Sequence, residues 1–246
     1  MDTARIAALL RPFLGQSLPE SQLDQISIYI DLLLRWNARI NLTAIRHPEE
    51  IVTRHFGESF FLARHLFPEV PTDSASTPAP EGAPSKLRLG GDVSSSTGYW
   101  VPGTDNCAPR VLDIGSGAGF PALPLKLWAP QIHLTLVESN HKKAAFLREV
   151  ARELTLTNVN VLTDRAETLA ARHDFPKVEV VTLRAVENFE KILPQATTFL
   201  APNGLLALLI GSAQVPRLTT LTTLKWHPPV PIPQSHTRVL SIGATT

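Results

Sequence analysis

One cysteine, one methionine and two tyrosines stand in a chain of 246 residues. The single thiol, Cys107, cannot form a disulfide within the chain. A cross-bridged secreted scaffold is therefore excluded and a reducing compartment is expected. An excess of one charge is also missing: 23 Lys and Arg face 22 Asp and Glu, a formal net charge of +1. The global balance selects for neither nucleic acid nor membrane, so any RNA contact has to use a local patch. No uncharged run reaches the roughly 18 residues that a membrane helix needs. The start, MDTARIAALLRPFL, carries Asp2 and breaks its apolar run at Arg11-Pro12, unlike a secretory signal. The expectation is a soluble, cytoplasmic protein with no membrane partner. The eight histidines lack ligand spacing, so no metal is expected. Apolar residues make up 43% of the chain, enough for one substantial core with at most a smaller partner domain.

Three segments differ in kind. Residues 1–70 read as helical: in SQLDQISIYIDLLLRW, Leu23, Ile26, Ile30, Leu33 and Leu34 recur at spacings of three and four. Ser21, three residues before Asp24, reads as the helix N-cap. A second helix is expected over PEEIVTRHFGESFFLARHLF, with Pro48 and two acids in its first turn and Arg64 and His65 in its last. Residues 71–109 are rich in Pro, Ser, Thr and Gly and show no period, which predicts a flexible insertion in which LRLGG and YWV either pair briefly or dock on the surface. Residues 110–246 alternate strand and helix signals. RVLDI, HLTLVE, NVNVL, VEVVTLR and LLALLI are the strands, and HKKAAFLREVAREL and NFEKILPQATTFL lie between them. This rhythm predicts an α/β, Rossmann-like, doubly wound sheet, mostly parallel. TLKWHP and TRVLSI, joined by PPVPIPQ, are expected to close it as an antiparallel hairpin, giving seven strands.

The chemistry sits in VLDIGSGAGFPALPL. Gly115, Gly117 and Gly119 follow the first strand, where a parallel sheet binds ligands. Glycines there let the chain turn and bring backbone N–H groups close to a ligand. The second strand ends in Glu138, 23 residues past Gly115, where a carboxylate accepts hydrogen bonds from a ribose diol. A dinucleotide site wants a small residue where this chain has Phe120. A bulky ring suits an adenosine ligand without phosphates, and S-adenosylmethionine is such a ligand. Asp113, ending the first strand, reads either as a partner of the methionine amino group or as a structural acid on the loop. Ala166 and Glu167 follow the third strand, where a backbone N–H and a carboxylate can read an adenine edge, or where Glu167 serves only as a helix-start acid. Arg184 ends the fourth strand and is placed for a cofactor carboxylate, an RNA phosphate or a structural ion pair.

The run at 111–125, with "RAE" at 165–167 and "LRAV" at 183–186, resembles the glucose-inhibited division protein B (RsmG) family. The N-terminal "RWNARINLTAIRHPEEIVTRHFGES" matches the same family, so the resemblance covers about residues 10–70 and 110–245. It implies a class I S-adenosylmethionine-dependent guanine-N7 methyltransferase of 16S ribosomal RNA, with S-adenosylhomocysteine as product. The implied cofactor residues are Gly115, Ser116, Gly117, Gly119, Phe120, Glu138, Ala166, Glu167 and Arg184. The implied substrate-positioning residues are Arg184 and His55, with Ser59, Asn41, Leu42, Thr43 and Arg46 in the same N-terminal motif. Asn41 is expected to brace that segment, and Arg35, Arg39, Arg46, Arg54 and Arg64 to meet phosphates. The expected partner is 16S ribosomal RNA or the small ribosomal subunit, and the expected form a monomer. Four positions depart from the family pattern: Ala122 for Gly, Ile210 for Lys, and His47 and Glu58 for Asp. Ile210 is expected to remove a charge from the substrate side.

Guanine N7 carries a free lone pair, so attack on a sulfonium methyl needs no prior deprotonation. That matches the lack of any nucleophile–His–Asp arrangement. Rivals remain: a nicotinamide-dependent oxidoreductase, a non-catalytic adenosine-ligand or ribosome-binding module, and a methyltransferase with another substrate on the same fold.

Overall fold

The structure, a computed structural model, describes residues 1–68, 108–172, 174–184, 189–220 and 223–245. The expected insertion at 71–109 lies almost entirely outside the described residues, as do Cys107 and Ala185-Val186 of the LRAV run.

Five strands run parallel: β1 (Arg110–Ile114), β2 (His133–Val137), β3 (Val159–Leu162), β4 (Val178–Arg184) and β5 (Leu200–Gly211). β4 lies between β1 and β5 and is buried on both faces, Glu179 and Thr182 included. β8 (Arg238–Thr245) adds antiparallel to β5, and β6 (Leu224–Trp226) adds antiparallel to β8. The order is β3-β2-β1-β4-β5-β8-β6, so the principal path holds the expected seven strands. An eighth, β7 (Val230–Pro231), pairs with β8 inside the proline-rich segment that predicts only loop. Prolines on both sides lack the N–H that would extend it.

Alternate strand residues feed opposite cores. Val111, Val180, Ala207 and Leu209 face one hydrophobic cluster, and Leu112, Val181, Leu208 and Ile210 face the other. The second cluster is closed by α7 (Ala166–Ala170), α8 (Phe189–Thr198) and the 3-10 turn Ser212–Thr220. The first is closed by α5 (Ala122–Trp128), α6 (His141–Glu153) and the N-terminal helices α1 (Thr3–Leu14), α2 (Glu20–Asn37) and α4 (Glu58–Leu66). The N-terminal helices thus share one continuous core with the sheet.

Local chemistry explains the helix ends. Asp2 caps α1 by accepting from the Arg5 N–H at 3.1 Å, and Gly15 ends it at φ 73°. The helix runs through Pro12 to Leu14. α2 begins one residue before the expected Ser21 cap: Pro19 sits at the N-cap and no side chain caps the end. The expected single helix over 48–67 has three parts. It opens as α3 (Pro48–Glu50), widens into a π-helix over Ile51–Gly57, and continues as α4. Such π segments are rare and frequently mark functional sites. His55 lies on it. No helix among the described residues is long and apolar enough to cross a membrane.

Candidate active site

Two pockets meet at Gly115, beyond the carboxyl ends of the central strands. The first, about 550 Å³, is walled by Val137, Glu138, Asp164, Arg165, Ala166 and Glu167, with Ile114, Ser139 and Ile192. The second, about 360 Å³, is walled by Leu42, Thr43, Ile45, Arg54, His55, Ser116, Gly117, Ala118, Phe120, Lys143, Arg184 and Arg238. The first carries three carboxylates and one arginine, the second four cations and no carboxylate.

The glycine loop runs between them with Gly115, Gly117 and Gly119 at φ 71°, 54° and 84°, where L side chains are strained. A side chain at Gly115 would project into open space, whereas one at Gly119 would overlap the Tyr29 hydroxyl and approach Leu123 Cδ1 to 2.6 Å. Gly119 lines neither pocket: its bare face is turned to Tyr29 of α2, Leu123 of α5 and Leu147 of α6. Glu138 is buried, and its carboxylate accepts from the Gly117 and Asn140 N–H groups, each at 2.8 Å. Asp113 is buried beneath the loop and accepts from the Thr182 hydroxyl at 2.6 Å, while its Oδ2 has no partner among the described residues. Burial pushes its pKa up to about 6, against the opposing bond from Thr182.

On the other side stands His55. Arg184 Nη1 lies 2.8 Å from His55 Nδ1, and Thr43 Oγ1 lies 2.8 Å from Nε2. A guanidinium can only donate, so Nδ1 accepts and the ring proton sits on Nε2, donated to Thr43. Burial, then Arg184, Arg54 and Arg238, lower the His55 pKa to about 3. The imidazole is therefore neutral and both its nitrogens are engaged. Its ring stacks on Phe120 at 4.7 Å and 19°.

Arg184 is a hub. Besides His55, its Nη2 donates to the Arg54 carbonyl at 2.7 Å and to Glu58 Oε2 at 3.1 Å. Three of the guanidinium's five N–H groups are thus committed within the protein. Burial lowers its pKa to about 10 and Glu58 opposes the shift, so it stays charged at neutral pH. Glu58 Oε2 also accepts from Arg238 Nε at 3.0 Å, and Arg54 Nε lies 3.5 Å from Oε1. One buried carboxylate gathers three arginines.

Some expected residues stand elsewhere. Ser59 is fully buried and donates to the His55 carbonyl at 2.6 Å, so it holds the helix rather than the pocket wall. Asn41 is exposed, and the brace belongs to Asn37. Asn37 donates to the Thr43 carbonyl and accepts from the Leu42 and Thr43 N–H groups at 2.9–3.1 Å. Of the five grouped arginines only Arg54 lines the pocket. Arg64 donates to the Phe13 carbonyl, Arg35 lines a hollow on α2, and Arg39 and Arg46 are exposed. Ile210 is buried in the second core, so that side chain faces away from the pocket. Arg238, Lys143, Asn37 and Tyr29 escaped the sequence reading. Their only signal there is residue type, because their partners lie in other segments.

The sequence profile of the family described as rRNA small subunit methyltransferase G matches residues 22–71 and 99–224. The chain belongs to that family. Proteins called ribosomal RNA small subunit methyltransferase G are similar over most of its length. The one from Chloroflexus aggregans is 38% identical over 77% of this chain and 64% of its own. The one from Bacillus subtilis is 32% identical over 81% and 69%, and that from Roseiflexus castenholzii 36% identical over 77% and 68%. The chain thus spans about two thirds of the length of these relatives.

The donor set fits the cofactor of an rRNA methyltransferase family. Asp113 Oδ2 is a buried oxygen still lacking a donor, at the base of the loop. Gly115 leaves the space of a side chain open. Glu138 keeps acceptor capacity beside its two backbone bonds. A ligand with a ribose diol for Glu138 and an ammonium reaching Asp113 past the open side of Gly115 suits these three features.

Proposed function

We propose that this protein transfers a methyl group from S-adenosylmethionine to N7 of a guanine in 16S ribosomal RNA, leaving S-adenosylhomocysteine. The observation that carries the reading is the meeting of an acid-lined pocket and a cation-lined pocket at one glycine. Family membership supports the reaction class.

In this reading Glu138 receives the ribose, Asp113 the ammonium, and Ala166 and Glu167 the adenine, with Gly115, Ser116 and Gly117 closing on the ligand. The bound cofactor supplies a methyl group on a positively charged sulfur. The protein then aligns and desolvates, because guanine N7 has a free lone pair and no proton must leave first. His55 suits that task. Both its nitrogens are bonded and its ring is neutral, so it works as a rigid wall and not as a base. Arg184 positions His55 and Glu58, and Phe120 backs the imidazole. Arg54, Lys143 and Arg238 surround the second pocket, where phosphates of a splayed-out nucleotide are neutralised. Residues 1–70 act with 110–246 as one catalytic unit around the inserted 71–109, as a cytoplasmic monomer on RNA or on the small subunit, without a metal.

The test uses small-subunit ribosomal RNA from cells lacking this protein. Purified enzyme and cofactor with a labelled methyl group are added, and label is mapped by strand cleavage at N7-methylguanine. One labelled guanine is the expected result. Absence of label on both naked RNA and intact subunits overturns the RNA assignment.

A further inference from the structure

Tyr29 lies on α2, far in sequence from the glycine loop, yet it touches the loop in two ways. Its hydroxyl donates to the Ala118 carbonyl at 2.6 Å. Its ring lies parallel to Phe120, with centroids 5.2 Å apart and planes 7° apart. The residue is fully buried, and burial together with the nearby Asp113 holds its phenol pKa well above the usual value. The hydroxyl therefore remains a donor across the working range.

Three features separate this contact from ordinary core packing. A phenylalanine would fill the same volume, so the hydroxyl's own contribution is the bond to Ala118. That carbonyl belongs to a residue lining the second pocket, and without Tyr29 it would be buried without this donor. The fit is also reciprocal, because Gly119 has no side chain where the Tyr29 hydroxyl stands. Finally, the stack continues through Phe120 to His55, with Phe56 edge-on to both Tyr29 and Phe120 at 5.2 and 5.0 Å. The loop is thus held from two sides. Glu138 takes the Gly117 N–H on the sheet side, and Tyr29 holds the Ala118 carbonyl on the helix side.

We propose that Tyr29 is a positioning residue for the cofactor: its hydroxyl and ring hold residues 115–120 in the shape that receives S-adenosylmethionine. The N-terminal helices then set cofactor affinity as well as walling the substrate side. The proposal rests on reading the loop as the cofactor site.

The test measures dissociation constants of S-adenosylmethionine and S-adenosylhomocysteine by titration calorimetry, without RNA, on the full chain. Three proteins are compared: native, Tyr29→Phe and Gln25→Ala. Phenylalanine keeps the stack and loses only the hydroxyl. Gln25 donates from α2 to the Leu154 carbonyl, away from the loop, so its variant loosens α2 elsewhere. Tyr29→Phe is expected to weaken both ligands about tenfold, the size of one buried hydrogen bond. Its KM for cofactor should rise in the same proportion. Gln25→Ala should bind as the native protein does, even if both variants melt earlier. Native-like binding by Tyr29→Phe, or equal weakening by Gln25→Ala, overturns the role of Tyr29. Failure of the native protein to bind either ligand overturns the cofactor reading itself, and this inference with it.

Discussion

His55 and Asp113 are two buried ionisable groups whose environments move them in opposite senses. His55 has its pKa lowered to about 3. No ionisation of His55 should therefore appear in activity between pH 6 and 8. His55→Asn should lower kcat by about 10- to 100-fold through lost alignment, with an unchanged shape of the pH–rate profile over that range. A profile that loses an inflection in the variant would mean that His55 titrates. The stability sign follows from linkage: the unfolded chain binds the proton first, so the His55 contribution is whole above about pH 6.5 and is lost as pH falls below it. Asp113 runs the other way, with a pKa raised to about 6 from 3.8. Its carboxyl costs nothing below pH 3.8, and the folded state loses up to about 1.4 kcal/mol per pH unit as pH rises from there to 6. Asp113→Asn does not titrate, so its melting temperature relative to the native protein should climb between pH 4 and 6. Differential calorimetry across that range measures it, and a constant gap would show an ordinary carboxylate. The same variant should bind S-adenosylmethionine at least tenfold more weakly.

At the scale of elements, the glycine loop and the π-helix meet at Phe120, on which His55 and Phe56 pack. Gly115 and Gly119 both adopt left-handed φ, but only Gly119 abuts packed atoms. Gly119→Ala should cost about 2–4 kcal/mol of stability, since strain and overlap with Tyr29 and Leu123 combine. Gly115→Ala should cost only about 1–2 kcal/mol of backbone strain, yet it fills the junction of the pockets and should abolish cofactor binding. Chemical denaturation and cofactor titration on the two variants separate these effects. Equal losses of stability would refute the distinction. The π-helix shows a limit of periodicity: Pro48, the first-turn acids and the apolar spacing all announce a helix, and a helix forms. They do not announce its widened turn. Phe13 of α1 lies so close to Gly57 that a side chain there would sit 2.7 Å from its ring, and the neighbouring His55 packs on Phe120.

Over the whole molecule, near-neutral charge conceals a local asymmetry: Arg54, Lys143, Arg184 and Arg238 line one pocket without a carboxylate. If phosphates enter there, Lys143→Gln should reduce the slope of log affinity for RNA against log salt by about 0.7, one released counterion. Arg64→Gln should leave that slope unchanged, because its guanidinium is bonded to the Phe13 carbonyl outside the pocket. Filter binding from 50 to 200 mM salt measures both, and equal slopes for native and Lys143→Gln would remove Lys143 from the interface. The amino-acid sequence by itself determined the features that are local along the chain. Strand and helix periods, the glycine loop after β1 and the acid one β-α-β unit later each lie within a few dozen residues, so spacing alone exposes them. Only the tertiary structure decided the contacts between distant segments. Glu58 meets Arg238 across 180 positions, Tyr29 reaches Ala118 across 89, and Arg184 finds His55 across 129. Asn37 and Asn41 look alike in sequence, and only the fold sets Asn37 against the 42–43 backbone and leaves Asn41 exposed. The physical reason is that periodicity reports which face of an element is apolar. Which neighbour covers that face, and which polar atoms are left for one another, is settled only when the helices close on the sheet.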